Sequence, residues 1–184
     1  MDNDNILVTN ILNGNIDSFS ILVSKYENRL FNFLLRLTSS REDSEEILQE
    51  VFIRVYNYLY RYDSKWQFCS WMYSIAVNSF KDFYKKKKRR ITEYYDYTFD
   101  YIVDSFSPIE DAYETKELYD EVVKLINQLK EEQRAALILK HIQGFSYSEI
   151  ARILGMSPDN ARMMVFRARQ TISYGFLKNI KRGV

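Results

Sequence analysis

The chain has 184 residues, 46% of them hydrophobic, and a formal net charge of +1, which suits a globular protein with one sizeable core or two small ones. Five glycines, two prolines and almost no alternating apolar–polar runs predict an all-α fold. The N-terminus lacks the basic residues of a signal peptide and no apolar run reaches membrane-spanning length, so we expect a cytoplasmic protein without membrane insertion. The single cysteine excludes an internal disulfide, and one cysteine with one histidine offers neither a metal cluster nor a catalytic triad.

The small net charge hides an uneven distribution along the chain. Residues 1–90 carry 14 basic and 11 acidic side chains, residues 91–121 carry one basic and ten acidic, and residues 122–184 carry 11 basic and four acidic. Two basic blocks separated by an acidic connector say more about nucleic-acid binding than the total charge does.

Two helices are predicted at the N-terminus. Asp4 is expected to cap a short first helix that ends near Gly14, since glycine readily takes the left-handed conformation. Apolar residues recur at three-and-four spacing over Phe19–Leu37, which predicts a second helix of about five turns that begins at Asp17 or Ser18.

A third helix is predicted from a capping box of Ser39 and Glu42 to about Tyr60. Its apolar residues form one stripe, which comprises Ile47, Leu48, Val51, Phe52, Val55 and Leu59. Acidic side chains crowd its first half; the helix dipole favours them in the first turn, but this reason does not extend to Glu50. The acidic surface is therefore open to two interpretations, a solvated face and a protein-docking site.

The segment Tyr56–Phe83 holds ten aromatic residues and runs into a basic stretch that ends at Arg90. In the simplest interpretation, residues such as Phe68 and Trp71 fill the space between helices. In the alternative, the aromatic groups lie beside a cationic track and stack on the bases of a separated DNA strand.

Residues 91–110 lack helical periodicity and combine acidic with aromatic residues, so they are predicted to form a flexible acidic linker. The predicted domains on either side are an N-terminal helical bundle, residues 1–90, and a C-terminal four-helix domain, residues 111–184. In the second domain, a helix over Glu131–Gln143 is expected to support the last pair of helices.

The stretch Gly144–Ile172 predicts a helix-turn-helix. A capping box of Ser146 and Glu149 begins its first helix, and Gly155 ends that helix. The pair Ser157–Pro158 begins the second helix, because serine is a good cap and proline fits the first helical position.

The second helix of this motif has two faces when its residues are placed at 100° intervals. The residues predicted to pack inward are Ala161, Val165, Ala168 and Ile172. The residues predicted to point outward are Arg162, Met163, Phe166 and Arg167. This outward face fits a DNA major groove, where arginine pairs with guanine and apolar groups contact thymine methyls. The alternative is an ordinary helical hairpin with solvated arginines.

Three stretches together resemble the extracytoplasmic-function (ECF) sigma factors, the small two-domain members of the bacterial sigma factor superfamily. They stand in the family's order and spacing: DSEEILQEVFIRVY (Asp43–Tyr56), FCSWMYSIAVNSFKDFYKKKKRR (Phe68–Arg90) and LKEEQRAALILKHIQGFSYSEIARILGMSPDNARMMVFRARQTI (Leu129–Ile172). The resemblance covers nearly the whole chain. It implies an alternative sigma factor, not an enzyme and without a cofactor, that binds core RNA polymerase, recognises two promoter elements and helps open the DNA in a stress response.

The resemblance also implies sites in the first domain. The residues expected to dock on the clamp helices of the polymerase β′ subunit are Asp43, Glu46, Gln49 and Glu50. The residues expected at the minus-ten promoter element are Trp71, Asn78, Lys81, Lys85 and Arg89. Of these, Asn78 is expected to contact a flipped base and the basic residues are expected to contact phosphates. The segment from Trp71 to Asn78, with a loop and helix after it, would form the base pocket.

In the second domain, the outward face of the helix-turn-helix is expected to contact the minus-thirty-five element. Met163 departs from the small polar residue common in the family and cannot donate a hydrogen bond, so the preferred base at that step is expected to differ. The flap of the polymerase β subunit and an anti-sigma factor are further partners that the resemblance implies.

Two other functions are compatible with parts of the sequence. One is a helix-turn-helix regulator that binds duplex DNA without polymerase, although such a protein has no use for the aromatic and lysine-rich segment. The other is a small helical enzyme, for which the chain offers no converging nucleophile, histidine or carboxylate constellation.

Overall fold

The structure is a computed structural model that describes residues 3–94 and 121–180. The chain divides into two compact units, residues 1–102 and residues 103–184. Every regular element among the described residues is helical, so the predicted all-α fold is confirmed. Most of the predicted linker, residues 95–110, lies outside the described residues.

The described part of the first unit is a helical bundle with one apolar core. Its helices are α1 (Asn3–Leu12), α2 (Asp17–Thr38), α3 (Arg41–Tyr58) and α4 (Phe68–Tyr94), with a 3₁₀ turn over Leu59–Arg61. α2 packs against α1 and α3, and α3 packs against α4. The core takes in Leu22, Tyr26, Leu30, Phe33, Leu34, Leu37, Ile47, Val51, Val55, Leu59, Phe68, Met72, Tyr73, Ala76, Val77 and Phe80.

Two predicted helix caps differ from the structure. Asp4 is not a cap but lies inside the first turn of α1, where it is buried and accepts hydrogen bonds from Lys25 and, at 2.5 Å, from the Tyr26 hydroxyl. α3 is capped by Ser40, whose side chain accepts from the backbone, while Ser39 takes the left-handed conformation at φ 55° and ends α2. The shift by one residue follows because Ser39 is already used to end the preceding helix.

α4 is a single helix of 27 residues, which corresponds to about 40 Å. It continues through Asn78 without the loop that the sequence analysis expects there, and it runs four residues into the predicted linker, to Tyr94. A continuous helix matters for function because it places residues at three-and-four spacing along one straight surface.

The described part of the second unit contains four helical segments. They are α5, described over residues 121–127, α6 (Glu131–His141), α7 (Tyr147–Leu154) and α8 (Pro158–Ile180). α8 packs on α6 and α7. The buried apolar residues are Leu125, Leu129, Ala135, Ala136, Leu137, Ile138, Leu139, Phe145, Ile150, Ala151, Ile153, Leu154, Ala161, Val165 and Ala168.

α7 and α8 form the predicted helix-turn-helix with the predicted caps. The Ser146 hydroxyl accepts from the Glu149 amide at 3.3 Å, and the Glu149 carboxylate accepts from the Ser146 amide at 2.8 Å. Gly155 ends α7 at φ 68°, in the left-handed region that favours glycine. The Ser157 hydroxyl then accepts from the Asn160 amide at 3.2 Å and caps α8.

Among residues 3–94 and 121–180, no helix is long and apolar enough to cross a membrane. The same residues contain no group of three or more histidine, cysteine or carboxylate side chains able to hold a metal ion.

Candidate nucleic-acid and protein interfaces

α8 separates into a packed face and an exposed face. Its inward residues Ala161, Val165 and Ala168 are at most 1% exposed, because they pack on α6 and α7. We call the outward residues the reading face, which comprises Arg162, Met163, Phe166 and Arg167. All of them are exposed, Met163 by 44% and Phe166 by 51%. The predicted orientation is therefore confirmed for these residues, whereas Ile172, also predicted to pack inward, is only half-buried. The outer surface combines two guanidinium groups with two apolar groups.

Tyr147 supports the reading face from α7. The guanidinium carbon of Arg162 lies 5.5 Å from the centre of the Tyr147 ring, and the ammonium of Lys140 lies 4.7 Å from the same centre. Cations are attracted to an aromatic face at such distances. Tyr147 is not among the residues predicted from the sequence, although an aromatic residue directly after the Ser146 cap, between helices that both carry cations, is a usable signal.

α4 brings the predicted minus-ten residues together on one face, which we call the α4 stripe: Trp71, Asn78, Lys81, Lys85 and Arg89. Their spacing of seven, three, four and four residues keeps them within one side of a helix, over about 27 Å. Asn78, Lys85 and Arg89 are exposed, whereas Trp71 and Lys81 are half-buried. The opposite side of α4 forms part of the core.

Phe68 and Trp71 differ in their surroundings. Phe68 is 1% exposed and packs on Tyr26 and Tyr62, so it is a core residue. The centre of the Trp71 ring lies 5.6 Å from the centre of the Phe68 ring and 5.5 Å from that of Tyr62, but Trp71 remains partly exposed. Trp71 is thus held by packing and still presents an edge to the surface.

The acidic side of α3 is smaller than predicted. Glu46 and Gln49 are exposed and Glu50 is half-buried, and we call these three residues the acidic face. Asp43 is buried instead: both of its oxygens accept from the Lys87 ammonium at 2.8 Å, and one accepts from the Tyr84 hydroxyl at 3.0 Å. Asp43 therefore lies off the exposed face, because α4 uses its carboxylate inside the unit, and its part in docking stays a prediction.

Exposed apolar residues continue the acidic face towards the C-terminal end of α3. Ile53, Tyr56 and Tyr60 are 56%, 46% and 64% exposed and follow Gln49 at three-and-four spacing. Tyr56 is held in place by an edge contact with Phe19, with ring centres 5.0 Å apart. Along one side of α3 and the turn after it, the acidic face is therefore followed by a row of exposed apolar and aromatic side chains.

Arg54 joins α3 to α4 beside the acidic face. Its Nε donates to Glu50 at 2.7 Å and its Nη1 donates to Asp82 at 2.8 Å. Burial acts to lower the pKa of Arg54, but its hydrogen bonds to Asp82 and Glu50 and their charges outweigh burial, so this pKa is raised. The bridge lines a cavity of about 430 Å³ between the two helices. This bridge is not predictable from local sequence patterns, because Arg54 and Asp82 are 28 residues apart.

The two units define a two-domain, all-helical nucleic-acid-binding protein, with a helix-turn-helix in one unit and a long basic helix in the other. The family model of sigma-70 region 2 matches residues 22–90, and that of sigma-70 region 4 matches residues 119–172. The first match covers most of α2 and all of α3, and the second covers α7 and α8 as far as Ile172.

Two relatives match along nearly the whole chain. The ECF RNA polymerase sigma-E factor of Haemophilus influenzae is 32% identical over 178 residues, which cover 92% of this chain and 93% of that protein. The RNA polymerase sigma-H factor of Pseudomonas aeruginosa is 28% identical over 180 residues, which cover 93% and 92%. The chain belongs to the ECF sigma factors. It is an alternative sigma factor that binds core RNA polymerase and promoter DNA for promoter recognition and transcription initiation, which confirms the predicted family and function.

A solved structure has the same fold. The sigma factor RpoE of Bartonella quintana, crystallised with the anti-sigma factor NepR, matches with a TM-score of 0.73 and 20% sequence identity. The match covers 86% of this chain and 96% of that chain.

Proposed function

We propose that the two units read separate promoter elements, the second unit through the reading face of α8 at minus-thirty-five and the first unit through the α4 stripe at minus-ten. The observation that carries this proposal is the reading face itself. Two arginines and two large apolar groups are exposed there, on a helix whose start is capped by Ser157. The protein acts as a binding factor rather than a catalyst.

At minus-thirty-five, the chemistry of the reading face favours particular base edges. Arg162 and Arg167 each offer a planar fork that fits guanine O6 and N7 in the major groove. Met163 and Phe166 donate no hydrogen bonds and suit thymine methyl groups. We therefore expect a preference for thymine at the step that Met163 contacts.

At minus-ten, the α4 stripe suits a separated strand. The exposed amide of Asn78 both donates and accepts, so it can pair with the edge of a flipped base. Extruding a base costs a few kcal/mol, and stacking on an aromatic group such as Trp71 offsets about 1–3 kcal/mol of that cost. Lys81, Lys85 and Arg89 extend the same face and contact phosphates.

The acidic face of α3 docks on the clamp helices of the polymerase β′ subunit. Basic residues of a partner helix complement Glu46 and Glu50, and apolar residues of the partner cover Ile53 and Tyr56, which are otherwise exposed. Asp43 is left out of this surface because Lys87 and Tyr84 occupy it. The second unit contacts the flap of the β subunit.

Regulation and location follow from the partners. Since RpoE of Bartonella quintana was crystallised with an anti-sigma factor, we propose that an anti-sigma factor also holds this protein until a stress signal releases it. The protein works in the cytoplasm, where it meets core polymerase.

A promoter library tests the assignment of the two elements. Holoenzyme made from core polymerase and the full chain is selected on promoters randomised at both elements, with Arg162→Ala and Asn78→Ala as variants. Arg162→Ala is expected to change the preference at minus-thirty-five only, and Asn78→Ala at minus-ten only. If both variants change the same element, or neither changes any, the assignment fails.

Core binding separates this proposal from its alternatives. Co-purification with core polymerase at high salt is expected for the wild type and for both variants. A regulator of duplex DNA would instead bind promoter fragments equally well without polymerase. Loss of core binding or of folding in Asn78→Ala would give Asn78 a structural role in place of base contact.

A further inference from the structure

An acidic residue, Asp82, lies within the basic surface of α4. It follows Asn78 by four residues and precedes Lys85 by three, so it shares their side of the helix, and its side chain is 52% exposed. A carboxylate repels DNA phosphates. An uncompensated Asp82 would therefore oppose the phosphate contacts of Lys85 and Arg89.

Arg54 supplies the compensating charge from α3. Its side chain is 24% exposed, and its guanidinium is held by two acceptors at once, Glu50 at 2.7 Å and Asp82 at 2.8 Å. Because arginine is a planar fork, these two contacts fix its orientation and tie the Asp82 carboxylate towards α3. Ion pairs as exposed as these contribute little to folding, so the main effect is expected on the charge of the surface.

We infer that Arg54 is a positioning residue for promoter binding: it neutralises Asp82 and holds its carboxylate against α3, so that the α4 stripe meets the minus-ten strand with a positive surface. In this role Arg54 acts through Asp82 rather than through a contact of its own with DNA. The inference rests on the proposed role of the α4 stripe.

A double-mutant cycle tests the inference. Holoenzyme containing Arg54→Met, Asp82→Asn or both changes is titrated with a forked promoter DNA whose minus-ten region is single-stranded, at low and high salt. Arg54→Met is expected to weaken binding about three- to tenfold at low salt and less at high salt, because ions screen the exposed carboxylate. Asp82→Asn is expected to bind as well as the wild type or better. The double variant is expected to recover to within about twofold of the wild type.

Arg41→Met is the matched control. Arg41 donates from Nε to Glu45 at 2.8 Å with the same spacing of four residues, on the same helix, but its partner is not on α4. The Arg41→Met substitution removes the same charge as Arg54→Met and is expected to leave promoter binding unchanged. An equal loss in Arg41→Met, or a double variant as weak as Arg54→Met, would overturn the inference.

The variant Lys85→Ala separates the role of Arg54 from the proposed role of the α4 stripe in minus-ten binding. If Lys85→Ala weakens promoter binding and Arg54→Met does not, only the role of Arg54 is wrong. If neither variant weakens binding, the α4 stripe is not the minus-ten surface. Arg54→Gln keeps donors without the charge and serves as the second variant if Arg54→Met unfolds; it is expected to show the same salt-dependent loss.

Discussion

The two helices that carry the candidate DNA surfaces are held in different ways. α8 follows α7 after a three-residue turn, is capped by Ser157 of that turn, and packs mainly on α6 and α7. α4 is held by distant parts of the chain: Lys87 reaches Asp43, 44 residues away, and Asp82 reaches Arg54, 28 residues away. The reading face is thus positioned mainly by neighbouring segments, whereas the position of the α4 stripe depends on α3. Substitutions in α3 are therefore expected to affect DNA binding by α4.

The largest effect on DNA binding is expected from substitutions in the reading face. Replacing Arg162 or Arg167 by alanine is expected to lose about 1–3 kcal/mol of specific binding for each lost bidentate base contact. Competition between promoters with single changes at minus-thirty-five, measured with holoenzyme, checks this loss. Lys178→Ala removes the same charge further along α8 and is expected to leave the preference unchanged. A variant that keeps the wild-type order of promoters would remove its arginine from the reading face.

The distant attachment of α4 is expected to show up in stability. Asp43→Asn removes the charge that binds Lys87, and we expect a loss of about 1–2 kcal/mol in the free energy of unfolding, since the half-exposed lysine is partly solvated by water. Glu46→Gln, on the exposed side of the same helix, is expected to stay within about 0.5 kcal/mol. Denaturant unfolding of both variants measures the difference. If Asp43→Asn were as mild as Glu46→Gln but lost core binding, Asp43 would belong to the docking surface after all.

The same contrast explains which features could be predicted from the sequence. The caps of α7 and α8 are read from neighbouring residues, so Ser146, Glu149 and Gly155 could be assigned in advance. The burial of Asp43 could not, because its partners lie on another helix and a carboxylate near a helix start already has a local reason to be there. The bridge from Arg54 to Asp82 could not be predicted either, because its two residues also lie on different helices.

Helix ends were predictable only where apolar periodicity marks them. α4 runs to Tyr94 through residues with no apolar stripe, and a segment without such a stripe is predicted as a linker. Similarly, the partial exposure of Trp71 and the full burial of Phe68 depend on the contacts of α2 and the turn before α4, which spacing along one helix does not reveal.

A change in the capping box is expected to act within the second unit. Ser146→Ala removes the acceptor for the Glu149 amide, and we expect a loss of about 1 kcal/mol from α7. Hydrogen exchange of backbone amides checks this: exchange is expected to speed up in α7 and α8 and to stay unchanged in α4. Ser148→Ala, two residues later in the same helix, is the control. Faster exchange in α4 would contradict the view that the helix-turn-helix is held locally.

The smallest expected effect tests how the reading face is positioned. Tyr147→Leu removes the ring against which Arg162 lies, and an exposed cation–π contact of this kind contributes about 0.5–1 kcal/mol. We therefore expect a two- to fivefold loss of minus-thirty-five binding by holoenzyme, about the size that this energy gives. Tyr147→Phe keeps the ring and is expected to bind like the wild type.

The double variant with Arg162→Ala decides whether the tyrosine acts through the arginine. If Tyr147 only positions Arg162, then Tyr147→Leu adds nothing once Arg162 is gone, because the same contact cannot be lost twice. Additive losses would mean that Tyr147 contacts DNA by itself, and a loss in Tyr147→Phe would assign that contact to the hydroxyl. In either case a residue of α7 would contact DNA directly, and α8 would no longer be the sole source of specificity in the second unit.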